Sequence, residues 1–310
     1  MNKYISIFLF VLPLFAGSLP TACTEPIDLK NDGMEPKLVI NCILTDTIIG
    51  PSFILENKVT IVKTTSFFGN DFVHAISGAK VWLNSELLTM ESPGIYSPKE
   101  GFCGIPGASY TLEVHYDLNS DGADEIFTAT TVMPQKCQLD SITFGPTITL
   151  FGEVFAFLFL HFEKTPGTNY YGAKLNNEND YRFYSSRILR YCLLQYDAFA
   201  ENDDYLRVPA EWYMRHALPY DNETRYYIYA GDTLTVALES LSQEYHRFLE
   251  VAKTELSQNN PMFSGPRSNI PTNFSGGALG VLGAYTSSRA SLPIPLNNTL
   301  KLPVRPDRTR

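Results

Sequence analysis

The 310-residue sequence is poor in the residues on which most enzymes and nucleic-acid binders rely. It has five histidines, His74, His115, His161, His216 and His246, and they share no metal-ligand spacing. No Gly-x-Ser-x-Gly nucleophile elbow and no His-Glu-x-x-His zinc motif occurs. Cysteine is scarce as well: Cys23, Cys42, Cys103, Cys137 and Cys192 form no Cys-x-x-Cys pair and match no zinc pattern. Basic clusters are missing except in the tail Lys301, Arg305, Arg308 and Arg310. With 24 basic against 33 acidic residues, the net charge is −9. A chain of this balance lacks the lysines and arginines that neutralise phosphates, which excludes nucleic acid as its partner. Long apolar runs are absent too. A membrane-spanning helix needs about 20 such residues, and the run at Ile5–Phe15 is too short, while Phe151–Phe162 is of strand length and carries Glu153.

What is present begins with that short run. One basic residue, Lys3, precedes it and small residues follow it, which is the pattern of a secretory signal peptide over residues 1–22. Two cleavage readings stand. Signal peptidase would cut after Ala22. Alternatively, Leu19-Pro-Thr-Ala-Cys23 resembles a lipobox, with Pro20 where the usual leucine would stand, and Cys23 becomes the lipidated first residue. Residues 23–36 are polar and contain proline and glycine, as suits a tether between a lipid and a folded body. Two or more acyl chains on one cysteine are enough for stable anchoring.

Beyond the tether the pattern is mainly β. Lys37 to Pro134 reads as about seven short strands at intervals of about 8–12 residues, an Ig-like or transthyretin-like β-sandwich over 37–136. Residues 137–303 read as a second β-rich domain, and 304–310 as a tail. That domain carries one amphipathic helix at about 240–257, where Leu241, Tyr245, Phe248, Leu249, Ala252 and Leu256 fall on one stripe. Ser240 and Gln243 have the spacing of a capping box. The glycine-rich stretch Gly276-Gly-Ala-Leu-Gly-Val-Leu-Gly-Ala-Tyr285 lacks the Gly-Lys-Ser/Thr ending of a phosphate loop, and reads as a tight turn entering a closing strand.

One stretch has the spacing of a metal loop. Asp117-Leu-Asn-Ser-Asp-Gly-Ala-Asp-Glu125 places Asp117, Asn119 and Asp121 at positions 1, 3 and 5, glycine at 6 and Glu125 at 9 of a calcium loop. Position 12 is Thr128 rather than glutamate, and the flanks are strand-like. The stretch is therefore a β-hairpin tip, on which Asp117, Asn119, Asp121 and Glu125 make a candidate weak calcium site with Kd of about 10⁻⁴–10⁻³ M. Cys42 and Cys103 are a candidate disulfide inside the first domain; buried free thiols are the other reading. No catalytic residues stand out.

Several motifs together resemble a known family. They are the leader with its cysteine and acidic tether, then Leu38-Val-Ile-Asn, Ser77-Gly-Ala-Lys-Val, Gly94-Ile-Tyr-Ser and Pro106-Gly-Ala-Ser-Tyr-Thr-Leu-Glu-Val. Glu244-Tyr-His-Arg-Phe-Leu, Asn260-Pro-Met-Phe-Ser-Gly-Pro and the glycine-rich stretch complete the set. In this order they resemble the Bacteroidetes cell-envelope lipoproteins of domain of unknown function 4249. The resemblance implies an exported protein anchored by lipid in the outer membrane or at the cell surface. It also implies a non-enzymatic role as accessory to a TonB-dependent nutrient-uptake receptor, through ligand or partner binding. A structural or adhesive envelope protein is the alternative, and an unrecognised hydrolase comes third.

Overall fold

The computed structural model describes residues 36–47, 57–65, 74–150, 153–177, 191–194, 205–210, 230–257 and 270–296. The signal segment, most of the tether with Cys23, and the tail lie outside the described residues. All described residues fall in one compact unit.

The first strands are β1 (Leu38–Thr45), β2 (Val59–Lys63), β3 (His74–Ala75), β4 (Lys80–Leu83), β5 (Glu86–Leu87), β6 (Thr89–Ser92) and β7 (Ile95–Ser97). A long hairpin, β8 (Ser109–Tyr116) and β9 (Glu125–Val132), follows. Then come β10 (Leu139–Leu150), β11 (Glu153–Glu163), β12 (Tyr170–Asn177), β13 (Tyr191–Leu194), β14 (Tyr205–Ala210) and β15 (Thr233–Leu241). Helix α1 (Gln243–Ser257) and β16 (Leu279–Pro293) end the described chain. The protein is thus mainly β, as its alternating apolar pattern indicates.

These strands form three sheets. The largest has nine strands in the order β13-β12-β15-β16-β1-β2-β7-β6, with β3 added beside β2. A four-stranded sheet, β5-β4-β8-β9, and a three-stranded sheet, β10-β11-β14, accompany it. Two clusters of buried side chains result. Leu38, Ile40, Cys42 and Leu44 of β1 join Val81, Leu112, Val114, Phe127 and Ala129 in the first. Leu158, Leu160 and Phe162 join Tyr171, Leu234, Val236 and Leu238 in the second.

Strand β16 contributes to both. Leu282 and Ala284 belong to the first cluster, and Ala290 and Leu292 pack against the second. All four are even-numbered on one continuous strand, so they point to the same face of the large sheet. Both cores therefore lie on that face. A division of the chain at residue 136 separates the β1–β9 strands from β10–β16, yet leaves β16 building a wall of the earlier core.

The odd-numbered face of β16 carries the helix. Tyr285 packs with Leu241 and Leu249, joined by Ile43, Tyr170, Tyr245 and Phe248. Of the stripe expected from the sequence, Leu249 and Ala252 are buried and Tyr245 and Phe248 half-buried. The helix begins later than its periodicity implies, however. Ser240 and Leu241 stay in β15, paired with Thr286 and Tyr285, and Ser242 is the cap, its Oγ accepting from Tyr245 N at 3.4 Å. Ser240 is thus no capping residue. Two serines two residues apart are equally good caps by type, and the β15 ladder decides between them.

Two glycines of β16 permit close approach. A Cβ on Gly280, whose φ is +99°, would lie 2.0 Å from the Ile40 carbonyl oxygen, and one on Gly283 would lie 2.7 Å from Tyr245 Cβ. The first lets β1 draw alongside; the second lets the helix settle on the sheet. Gly280→Ala is expected to destabilise the protein by about 3 kcal/mol or more in urea denaturation. Gly277→Ala is expected to cost about 1 kcal/mol, because that glycine has φ +79° but open space around it.

Candidate functional site

Polar chemistry gathers where β16 changes partners. Its backbone pairs with β1 from Leu279 to Tyr285 on one side, and with β15 from Tyr285 to Pro293 on the other. Among the described residues, each side of the strand therefore has a stretch without a ladder partner, and buried amide groups need partners there. Side chains supply them. On the β15 side, Leu282 N donates to Asn273 Oδ1 at 2.9 Å and Ala284 N to Ser242 Oγ at 3.2 Å. On the β1 side, Ser287 N donates to Asp46 Oδ1 at 3.0 Å. Asn273 also donates through Nδ2 to the carbonyls of Thr130 and Leu282, so one carboxamide ties β9 to β16.

The junction holds most of the buried polar residues of the described chain. Thr45, Glu239, Ser240, Ser242, Thr286, Ser287 and Ser288 are all buried there. Two carboxylates are among the groups sealed in. Asp46, 6 % exposed at its side chain, meets Lys136 Nζ at 3.0 Å. Glu239, 3 % exposed, meets Lys174 Nζ at 2.8 Å, and that ammonium also lies 4.8 Å from the Tyr285 ring centroid. Carboxylates this deep are held by opposite charge, because isolated burial would be prohibitive. Neither stands out by motif or spacing in the sequence. The signal available was Glu239 itself, a carboxylate inside the apolar run of β15.

His246 sits at the edge of this region. Its ring lies 4.8 Å from that of Tyr170, and Nδ1 is 3.5 Å from Glu250 Oε2. Burial pushes its pKa below the usual value, and Glu250 only partly opposes that. A depressed folded-state pKa means the unfolded chain binds more protons as pH falls through about 6.5. Stability should therefore fall as pH drops through and below that value. His246→Gln should flatten this slope in urea denaturation measured between pH 7.5 and 5 (about the titration range of histidine).

The acidic stretch 117–125 is a hairpin tip, with Tyr116 paired to Glu125. Its carboxylates are turned onto the loop's own backbone. Asp117 accepts from Asp121 N at 3.1 Å and Gly122 N at 2.9 Å, and Asp121 Oδ1 from Ala123 N at 2.9 Å. Glu125 accepts from Leu118 N at 2.7 Å and from the Asn119 side chain. Asp124 pairs with Lys80. The amide hydrogens and that lysine balance the like charges. Among the described residues, no group of three or more His, Cys, Asp and Glu side chains is arranged to hold a metal ion. The four candidate calcium residues are close in space, but a cation would take over oxygens that now accept amide hydrogens. Asp117→Ala is expected to cost about 1 kcal/mol, equally in EDTA and in millimolar calcium. Calcium-dependent wild-type stability that this change removes would identify a metal site instead.

Cys42, Cys103 and Cys137 are free thiols in this structure, so no disulfide joins Cys42 to Cys103. Cys42 points into the first core, where burial pushes its thiol up to about 12. A thiol so rarely ionised is a poor nucleophile.

The fold and its junction define a mainly β protein in which one strand walls two cores. A family model, the domain of unknown function DUF4249, matches residues 24–291, a range that includes strands of both cores and most of β16. The chain belongs to that family. No curated protein and no solved structure matches it.

Proposed function

We propose that this chain is an exported, lipid-anchored cell-envelope protein of the Bacteroidetes type. In this reading it acts without catalysis, as an accessory to a TonB-dependent nutrient-uptake receptor, by binding a ligand or partner. One observation carries the anchoring part of the reading. The family match begins at residue 24, directly after Cys23, and the first described strand starts at Leu38, after a stretch whose sequence is short and polar. Anchor, tether and body then follow in order, and the proposed anchor falls at the edge of the matched domain. The ion pairs at the junction support the non-catalytic part: Asp46 and Glu239 are each held by an ammonium group.

The test is affinity purification of the protein from its own membranes after metabolic labelling with an alkyne fatty acid. Label on the wild type that Cys23→Ala abolishes, with co-recovery of a TonB-dependent receptor, is the expected result. An unlabelled protein contradicts the anchor. A labelled protein recovered only with copies of itself points to the structural alternative and contradicts the accessory role.

A further inference from the structure

We infer that the β1–β16 pair is a mechanical clamp, which holds the folded body against a pull between its N-terminal side and the far end of β16. The two strands run parallel, in register from Val39↔Leu279 to Thr45↔Tyr285. The chain coming from residue 36 joins the pair at the Leu279 end, whereas β16 leaves it at the other end and runs on to Pro293. A pull at residue 36 against a hold at residue 296 therefore drags the two strands along their lengths in opposite senses. All of the evenly spaced hydrogen bonds of a parallel ladder are then loaded together. Strands separated from one end lose theirs one after another.

The seam is reinforced along the same line. Asn41 Oδ1 accepts from Val281 N at 3.3 Å within the ladder. Asp46 extends it past the last pair by accepting from Ser287 N, and is itself held by Lys136. Neither strand can slide alone, since β1 is paired on its other side from Leu38↔Lys63 to Cys42↔Val59. Likewise β16 is paired from Thr233↔Pro293 to Leu241↔Tyr285. Gly280 brings the β1 backbone into direct contact with β16. In a cell the load presupposes the anchor at Cys23 proposed above: the membrane holds one end, and a molecule bound beyond the other end pulls.

Single-molecule force spectroscopy on the full chain tests the clamp directly, with handles at residues 36 and 296 or, for comparison, at residues 36 and 64. The second pair lies at one end of the β1–β2 ladder and peels it open. At equal loading rate, the first geometry should rupture at a force at least about twofold higher, because several net hydrogen bonds resist at once. Asp46→Ala should lower the force in the first geometry and leave the second unchanged. Equal forces in the two wild-type geometries would overturn the inference. Absence of fatty-acid label, by contrast, would remove the anchor and leave the force result standing.

Discussion

At Tyr285, β16 is the register partner of Thr45 on one side and of Leu241 on the other, and the rest of the structure is arranged around that handover. Toward Leu279 the strand closes the first core, and toward Pro293 it walls the second. The two cores share a sheet face and a backbone, so a displacement of β16 disturbs both. Helix α1 covers the opposite face at this place. There Leu241, Leu249 and Tyr285 pack where the ladders overlap.

The handover also explains where the polar groups are. A strand that exchanges neighbours leaves amide groups without ladder partners in the interior, and each unsatisfied one would cost about 1–3 kcal/mol. Asn273, Ser242 and Asp46 meet that need from three different segments of the chain. Asp46 in turn requires Lys136, and Lys136 lies in the passage from β9 to β10. The connection between the halves is thereby fastened to the strand they share. Thr286 Oγ1 donates to the Gln135 carbonyl, and Ser288 Oγ accepts from Leu139 N at 2.6 Å, which fastens the same passage twice more.

Local features were legible in the sequence because their causes are local. The alternation of Ser109–Tyr116 and Glu125–Val132 and the turn letters between them mark the hairpin. The stripe through Tyr245, Leu249 and Ala252 marks the helix, and the glycine-rich stretch does enter a strand. What could not be read is pairing at long range. Nothing about Val39 names Leu279 as its neighbour, since parallel partners far apart in sequence carry the same β-branched and aliphatic letters as any buried strand. The buried carboxylates were hidden for the same reason: Asp46 looks like a turn residue and Glu239 like the solvent side of a strand until β16 is laid between them. The acidic loop reads two ways, because spacing suited to a cation is also spacing suited to capping a loop's own amides.

If one strand welds two cores, they should unfold together. Native-state hydrogen exchange measures this most directly, through the slow amides of Leu112 in the first core and Leu238 in the second. One shared opening free energy with the same denaturant dependence is expected for both. Distinct values, with one core opening while the other stays protected, would contradict it.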